Sequence, residues 1–159
     1  MNMKDLKEKV RKMIRKKMWL VLSTLDGDTP YSSVMVYQSD GETIICQTGE
    51  NTLKVNNIRK NNKVAITIPI RKNFFHKLIP APPAELHFTT IAEIKPFNDE
   101  ESRKIFVKFL KYGEKNELPQ DSIWISIKVP NRVTTYGIVV PLLKMRKPLL
   151  ARKIVQLYS

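Results

Sequence analysis

Residues 18–70 alternate apolar and polar positions in a way that predicts four strands and a short helix. The apolar and β-branched runs occupy residues 18–24, 30–38, 42–48 and 63–70. Asp26-Gly27 and Asp40-Gly41 separate the first three runs, and such pairs are typical of tight hairpin turns because glycine accepts a positive φ angle. We predict an antiparallel three-strand meander, a helix opened by residues 49–54, and a fourth strand. The run at 18–24 is nearly continuously apolar, which predicts a strand buried on both faces.

The rest of the chain adds helices and strands around this unit. Apolar residues at helical spacing predict an N-terminal helix within residues 1–17 that packs on the domain. Asn98 and Glu101 form a capping box, which predicts a helix that begins after Asn98 and ends near Gly113. Further strands are predicted at 86–95, 123–129 and 132–140. The fold class is therefore mostly β, with an antiparallel sheet and flanking helices.

The length of 159 residues is enough for one domain with a sizeable core. We predict a single domain over 1–159, with a C-terminal extension at 141–159. No apolar run reaches the roughly 18 residues that a membrane helix needs, and we expect no membrane partner. The single cysteine, Cys46, is expected to be a small buried hydrophobe, and its isolation favours a cytoplasmic location.

The net charge of +13 favours an anionic partner, such as nucleic acid, a membrane surface or a phosphate-bearing molecule. A lysine-rich surface without a specific partner is the alternative. The extension at 141–159 mixes leucines with five basic residues, and no acidic residue follows Asp121. It is too apolar to float free, so we expect it to pack on the domain, on a partner subunit or on a membrane.

Two stretches carry candidate binding chemistry. The helix start at 51–54 offers free backbone N–H groups, the positive end of the helix dipole and the charge of Lys54, which together suit an anion. Asn51 or Thr52 is expected to cap this helix. The loop at 71–84 mixes basic residues with Phe74-Phe75, which would stack on a planar anionic ligand or pin the loop to the core. His87 is a weaker candidate proton donor.

Three stretches resemble the FMN-binding split-barrel family of pyridoxamine 5'-phosphate oxidase. They are TLDGDTPYSSVMVY, TIICQTGENTLKVNNI and RKNNKVAITI, and the resemblance extends over about residues 5–140. It implies a closed antiparallel split β-barrel and a homodimer with FMN in a cleft between subunits. It also implies a flavin-dependent oxidoreductase, whose small-molecule substrate it does not identify.

Carried over residue by residue, the resemblance assigns a cofactor site but no catalytic or metal-binding residue. The strand at 32–37 would run beside the flavin ring, Gln47 and Thr48 would contact the ring or ribityl chain, and Thr52 to Lys54 would hold the phosphate. The cofactor-binding residues implied are Ser32, Ser33, Val34, Met35, Gln47, Thr48, Thr52, Leu53 and Lys54.

The chain departs from the family at two of these positions. Family enzymes often carry an arginine where this chain has Ser32, and another where it has Leu53. Each lost charged hydrogen bond would weaken FMN binding by about 1.5–3 kcal/mol. Relatives on this fold use a deazaflavin or haem, so a deazaflavin-dependent reductase is an alternative. A non-enzymatic split-barrel module that binds nucleic acid or another anionic ligand is a second.

Overall fold

The computed structural model describes residues 3–70, 84–107 and 121–158, and these residues form an antiparallel barrel with short helices. The predicted loop at 71–84 and the predicted helix end at Gly113 lie outside the described residues, apart from Ala84. The strands are β1 (Trp19–Asp26), β2 (Thr29–Ser39), β3 (Thr43–Gly49), β4 (Lys63–Ile70), β5 (Ala84–Pro96), β6 (Ser122–Lys128), β7 (Arg132–Tyr136) and β8 (Arg152–Gln156). The helices are α1 (Met3–Lys16), α2 (Leu53–Lys60), α3 (Glu100–Ile105), a 3-10 turn (Leu142–Arg146) and α4 (Pro148–Ala151).

Six of these strands close into a ring. The order β4-β1-β2-β3-β6-β5 returns to its start because β4 also pairs with β5, and every pairing is antiparallel. The other two strands extend the sheet, since β7 pairs with β5 and β8 pairs with β7. The barrel confirms the predicted fold class.

The predicted meander is present, with its register fixed by the first Asp-Gly turn. Asp26 pairs with Thr29, and Gly27 between them has a φ of +58°. The φ of Gly41 in the second turn is +105°, and the Asp40 carboxylate accepts from the backbone N–H groups of Glu42 and Thr43. The two turns therefore set which residues of β1, β2 and β3 face the core.

The prediction that β1 is buried on both faces is wrong for the chain as described. Its side chains alternate, with Leu20 and Leu22 in the core and Trp19 54% exposed on the outer face. The run is nearly continuously apolar because the outer face of β1 also carries apolar side chains, among them Trp19 and Val21, which the single chain does not bury.

α1 packs on the barrel as predicted and also binds the chain's other end. Leu6, Val10 and Ile14 are buried, and the carbonyl of Ile14 accepts from the Tyr37 hydroxyl at 2.9 Å. Arg11 donates to the carbonyl of Leu157, just beyond β8. The C-terminal extension thus packs on the domain, which was one of the three expected outcomes.

Two element boundaries differ from the sequence prediction. The N-cap of α3 is Asp99 rather than Asn98, because the Asp99 carboxylate accepts from the backbone N–H of Ser102 at 2.9 Å. Accepting this bond, and a second one from the Ser102 side chain, holds the pKa of Asp99 below its usual value. β7 ends at Tyr136 rather than at Val140, because Gly137 and Val139 have positive φ angles that turn the chain.

Candidate functional site

The barrel is split where β2 and β3 separate. The two strands pair only from Tyr37–Cys46 to Ser39–Ile44. The same register, continued, would place Val36 opposite Gln47 and Met35 opposite Thr48, but no such pairs form. Both strands nevertheless remain extended, β2 beside β1 and β3 beside β6. The main chains of 32–36 and 47–49 are therefore not joined by strand pairing, and we call this unpaired stretch the gap.

Alternation within β2 determines which backbone groups face this gap. In an antiparallel pair closed by a two-residue turn, Asp26 and Thr29 exchange hydrogen bonds, and every second pair after them does the same. Ser33 and Met35 therefore direct their N–H and C=O groups toward β1. Ser32 and Val34 direct theirs toward the gap, where no strand of the described chain pairs with them. The gap presents main-chain donors and acceptors to a ligand.

The four predicted site residues of β2 are placed differently around this edge. Ser32 lies on the outer surface, where its hydroxyl shares a 2.8 Å hydrogen bond with that of Ser23. Val34 is 69% exposed on the same face. Ser33 is half-buried, and the Met35 side chain belongs to the core. Because the N–H and C=O groups of Met35 face β1, this residue presents no polar group to the gap.

Gln47 and Thr48 form the opposite edge of the gap. The Gln47 side-chain amide donates to the Ser122 hydroxyl at 2.9 Å, which holds it against β6. Thr48 points to the other side of the sheet and is nearly buried, and its hydroxyl lies 3.4 Å from the Lys54 ammonium. Lys54 therefore brings a positive charge to this edge of the gap through its contact with Thr48.

The N-terminus of α2 lacks a side-chain cap. Thr52 occupies the N-cap position, but its hydroxyl donates to the carbonyl of Gly49 at 3.1 Å and so is turned away from the helix. The N–H groups of Val55 and Asn56 both bond to the Thr52 carbonyl. The expected capping by Thr52 therefore does not occur, and Leu53 and Lys54 present the first-turn N–H groups beside an ammonium. This arrangement suits an anion.

Asn57 is a buried residue that sequence reasoning missed. Its side-chain amide donates to the Thr24 hydroxyl at 3.1 Å, while its Oδ1 has no partner among the described residues. Together with the buried Val55 and Ile58 it anchors α2 against β1. The sequence does contain a signal for this residue, because Asn57 lies between the apolar Val55 and Ile58 on the buried side of the helix.

The other charges of α2 are engaged elsewhere. Arg59 pairs with Glu50 at 2.7 Å, and Lys60 pairs with Asp26 at 3.1 Å. Arg59 is a candidate to replace the cations missing from positions 32 and 53, but its guanidinium is already paired. Lys54 is left as the principal charge for the helix start.

The side chains offer little acid–base or thiol chemistry of their own. Burial raises the pKa of the Cys46 thiol to about 12, so this residue is a neutral core side chain. His87 lies on the outer sheet face, 3.5 Å from the Glu85 carboxylate, and away from the gap. Within the described ranges, no three histidine, cysteine or carboxylate side chains come together as metal ligands.

Comparison with known proteins gives a family match over most of the chain. The profile of the pyridoxamine 5'-phosphate oxidase family matches residues 6–130, which includes both edges of the gap and α2. No curated protein sequence is significantly similar to the chain.

Solved structures share this fold at low sequence identity. The general stress protein 26 of Bacillus anthracis aligns with a TM-score of 0.61 at 22% identity, covering 82% of this chain and 92% of that one. A Clostridium acetobutylicum protein related to general stress protein 26, of the pyridoxinephosphate oxidase family, aligns with a TM-score of 0.64 at 16% identity, covering 98% and 96%. An F420 reductase aligns with a TM-score of 0.52 at 20% identity, covering 74% and 90%. At these identities the likenesses show the fold alone.

Proposed function

The chain belongs to the pyridoxamine 5'-phosphate oxidase family, and from that premise we propose that it binds FMN and acts as a flavin-dependent oxidoreductase. The observation that carries the proposal is the split between β2 and β3, which ends at the uncapped start of α2. The gap supplies unpaired main-chain groups for a flat polar ring. The helix start supplies a cationic end for a phosphate.

The residues present fit the phosphate of FMN at one place. Lys54 carries a full charge in the first turn of α2, and the adjacent N–H groups point along the positive end of the helix dipole. The Thr48 hydroxyl lies 3.4 Å from that ammonium, so the ribityl chain of a bound cofactor would run between these two residues and the gap. The helix is held in place by the buried Asn57, whose side-chain amide donates to the Thr24 hydroxyl at 3.1 Å.

Ser32 and Leu53 occupy positions where family enzymes often carry an arginine. Leu53 is exposed, and Ser32 shares its hydrogen bond with Ser23. The affinity for FMN should therefore rest on Lys54, on α2 and on main-chain contacts from β2. We expect weaker FMN binding than in relatives that have both arginines, by about 1.5–3 kcal/mol for each lost charged hydrogen bond.

A second copy of the chain would complete the site. The strand registers align one outward row of small or apolar side chains across six strands, and His87 is its only ionisable member. This row is Val34, Val21, Thr67, His87, Thr134 and Ile154. Trp19 and Leu53 add exposed apolar area near the gap. Exposed apolar area of this kind marks an interaction site, and a homodimer would cover it and wall the cofactor cleft.

The absence of a dedicated acid–base pair among the described side chains agrees with cofactor-based chemistry. A bound flavin supplies hydride transfer, while the protein supplies binding, orientation and electrostatics. The main-chain groups of Ser32 and Val34 would fix the ring plane, and Val34 would help to exclude water from it. We expect the substrate to be a small molecule that stacks against the exposed side of the ring.

A deazaflavin is the second candidate cofactor. The fold shared with an F420 reductase favours it, and so does the loss of two cations from the expected flavin site. Both cofactors carry a phosphate, so the assignment of Lys54 is the same for either.

Purified protein tests the cofactor directly. We expect a flavin absorption band after purification, or quenching of FMN fluorescence when FMN is titrated with stripped protein. Binding of F420 in preference to FMN would favour the second candidate. Protein that binds neither cofactor but binds DNA with a steep dependence on salt would favour a non-enzymatic nucleic-acid module.

A further inference from the structure

The positive charge of the chain is concentrated at its two ends. Residues 1–17 carry eight basic and two acidic side chains, and residues 141–159 carry five basic and none that are acidic. These segments hold eleven of the thirteen net charges, so residues 18–140 are nearly neutral. The fold brings the ends together, since the Arg11 guanidinium lies 4.9 Å from the centroid of the Tyr158 ring.

The C-terminal segment also exposes large apolar side chains among its cations. Leu149 is 96% exposed, Leu143 is 73% exposed and Leu150 is 52% exposed. Exposed lysines and arginines lie between them in the chain. We name this set the tail patch, which consists of Leu143, Lys144, Arg146, Lys147, Leu149 and Leu150.

Buried anchors hold the tail patch in place. Met145 and Ala151 are fully buried on either side of Lys147. The Tyr136 hydroxyl donates to the carbonyl of Met145 at 2.6 Å, and the Gly137 N–H donates to the carbonyl of Ala151 at 2.9 Å. The exposed leucines therefore project from an attached segment, so their exposure is a property of the fold.

We propose that the tail patch binds the surface of an anionic lipid bilayer. Lysines and arginines beside exposed leucines match a surface whose headgroups are anionic and whose acyl region accepts apolar side chains. Nucleic acid would satisfy the cations but leave the three leucines in water. A second copy of the same patch would place like charges together, since the patch has no acidic residue.

This binding is peripheral, and it differs from the sequence-based expectation of no membrane partner. None of the helices in the described segments is long and apolar enough to cross a bilayer. The exposed leucines, which only the structure reveals, are the reason for the change. Lipid binding by the tail patch does not require a bound cofactor, so it can be tested separately from the proposed function.

Vesicle flotation of the full chain tests the proposal. The probes are phosphatidylcholine vesicles with and without phosphatidylglycerol, at low and high salt. We expect binding only with phosphatidylglycerol, and weaker binding at high salt. A triple variant, Lys144→Gln, Arg146→Gln and Lys147→Gln, should lower the partition coefficient by roughly a hundredfold.

Apolar and control variants separate the two contributions. Leu149→Ser with Leu150→Ser should lower partitioning at least about tenfold while leaving the charge unchanged. Ile91→Ser with Lys63→Gln makes one change of each kind at exposed positions elsewhere and should bind vesicles as the native chain does. Circular dichroism of each variant would establish that it is folded.

Four results would overturn the proposal. One is no flotation of the native chain with phosphatidylglycerol vesicles at low salt. Another is retained vesicle binding in both tail variants. The third is a tail variant that turns a dimer into a monomer in sedimentation, because the patch would then be an interface between copies. Duplex DNA binding that is lost in the charge variant and kept in the leucine variant, without vesicle binding, would assign the patch to nucleic acid.

Discussion

Substitution of Lys54 gives the sharpest test of the candidate site. Lys54 is half-buried in the first turn of an uncapped helix, and its ammonium lies 3.4 Å from the Thr48 hydroxyl. A hydrogen bond to a charged group contributes about 1.5–3 kcal/mol, which corresponds to a factor of about 12 to 160 in Kd. Lys54→Met keeps most of the apolar stem and removes the charge, and we expect it to raise the Kd for FMN by that factor.

Comparison of FMN with riboflavin isolates the phosphate. Riboflavin lacks the phosphate, so its Kd should be nearly the same for the native chain and for Lys54→Met. The assay is quenching of ligand fluorescence on titration with stripped protein. The ratio of the two affinities should therefore fall in the variant, because only the FMN complex loses a contact.

The same helix offers a matched control. Lys60 lies at the far end of α2 and pairs with Asp26 on the surface. Lys60→Met makes the same change of net charge and should leave the Kd for FMN within a factor of about two, because exposed charges act weakly at a distance. Equal weakening by both variants, or an unchanged Kd in Lys54→Met, would refute the placement of the phosphate at the helix start.

Three further predictions concern the fold and the assembly. Asp99→Ala should lower the free energy of unfolding in urea by about 1 kcal/mol, whereas Asn98→Ala should change it by less than about 0.5 kcal/mol; the reverse order would contradict the assignment of the cap. Cys46 in the native chain should react with a thiol reagent at pH 8 far more slowly than in urea, because burial keeps the reagent away from the thiol and raises its pKa; equal rates would contradict its burial. Trp19→Glu should convert a dimer into a monomer in analytical ultracentrifugation, whereas Ile91→Glu, at a comparably exposed site, should not; an unchanged dimer in Trp19→Glu would remove β1 from the interface.

The sequence predicted the elements whose local signals are strong. Both Asp-Gly pairs do form the turns between the first three strands, because glycine is needed where φ is positive. The apolar stripe of α1 is buried as its spacing indicates. The error at Asn98 arose because two adjacent residues can both serve as an N-cap, and only the Ser102 N–H shows which one does. β8 was not predicted, since Arg152–Gln156 is short and mostly polar, and its pairing with β7 is a long-range contact.

The candidate site was only half predictable, for a physical reason. A helix start with a lysine is a local signal, so the proposed anion-binding end could be located from residues 51–54, and the structure does place a helix start and Lys54 there. The gap has no such local signal. The side chains of β2 alternate in the same way where β2 pairs with β1 only and where it also pairs with β3. Beyond the Tyr37–Cys46 pair, β3 stays paired with β6 but not with β2, and the neighbours that a strand keeps are decided by contacts far apart in the chain. The main-chain groups of Ser32 and Val34 thereby lack a strand partner on one side, within the described chain, without any change in the local pattern. The proposed ring-binding half of the site therefore depends on the closed barrel rather than on any one segment.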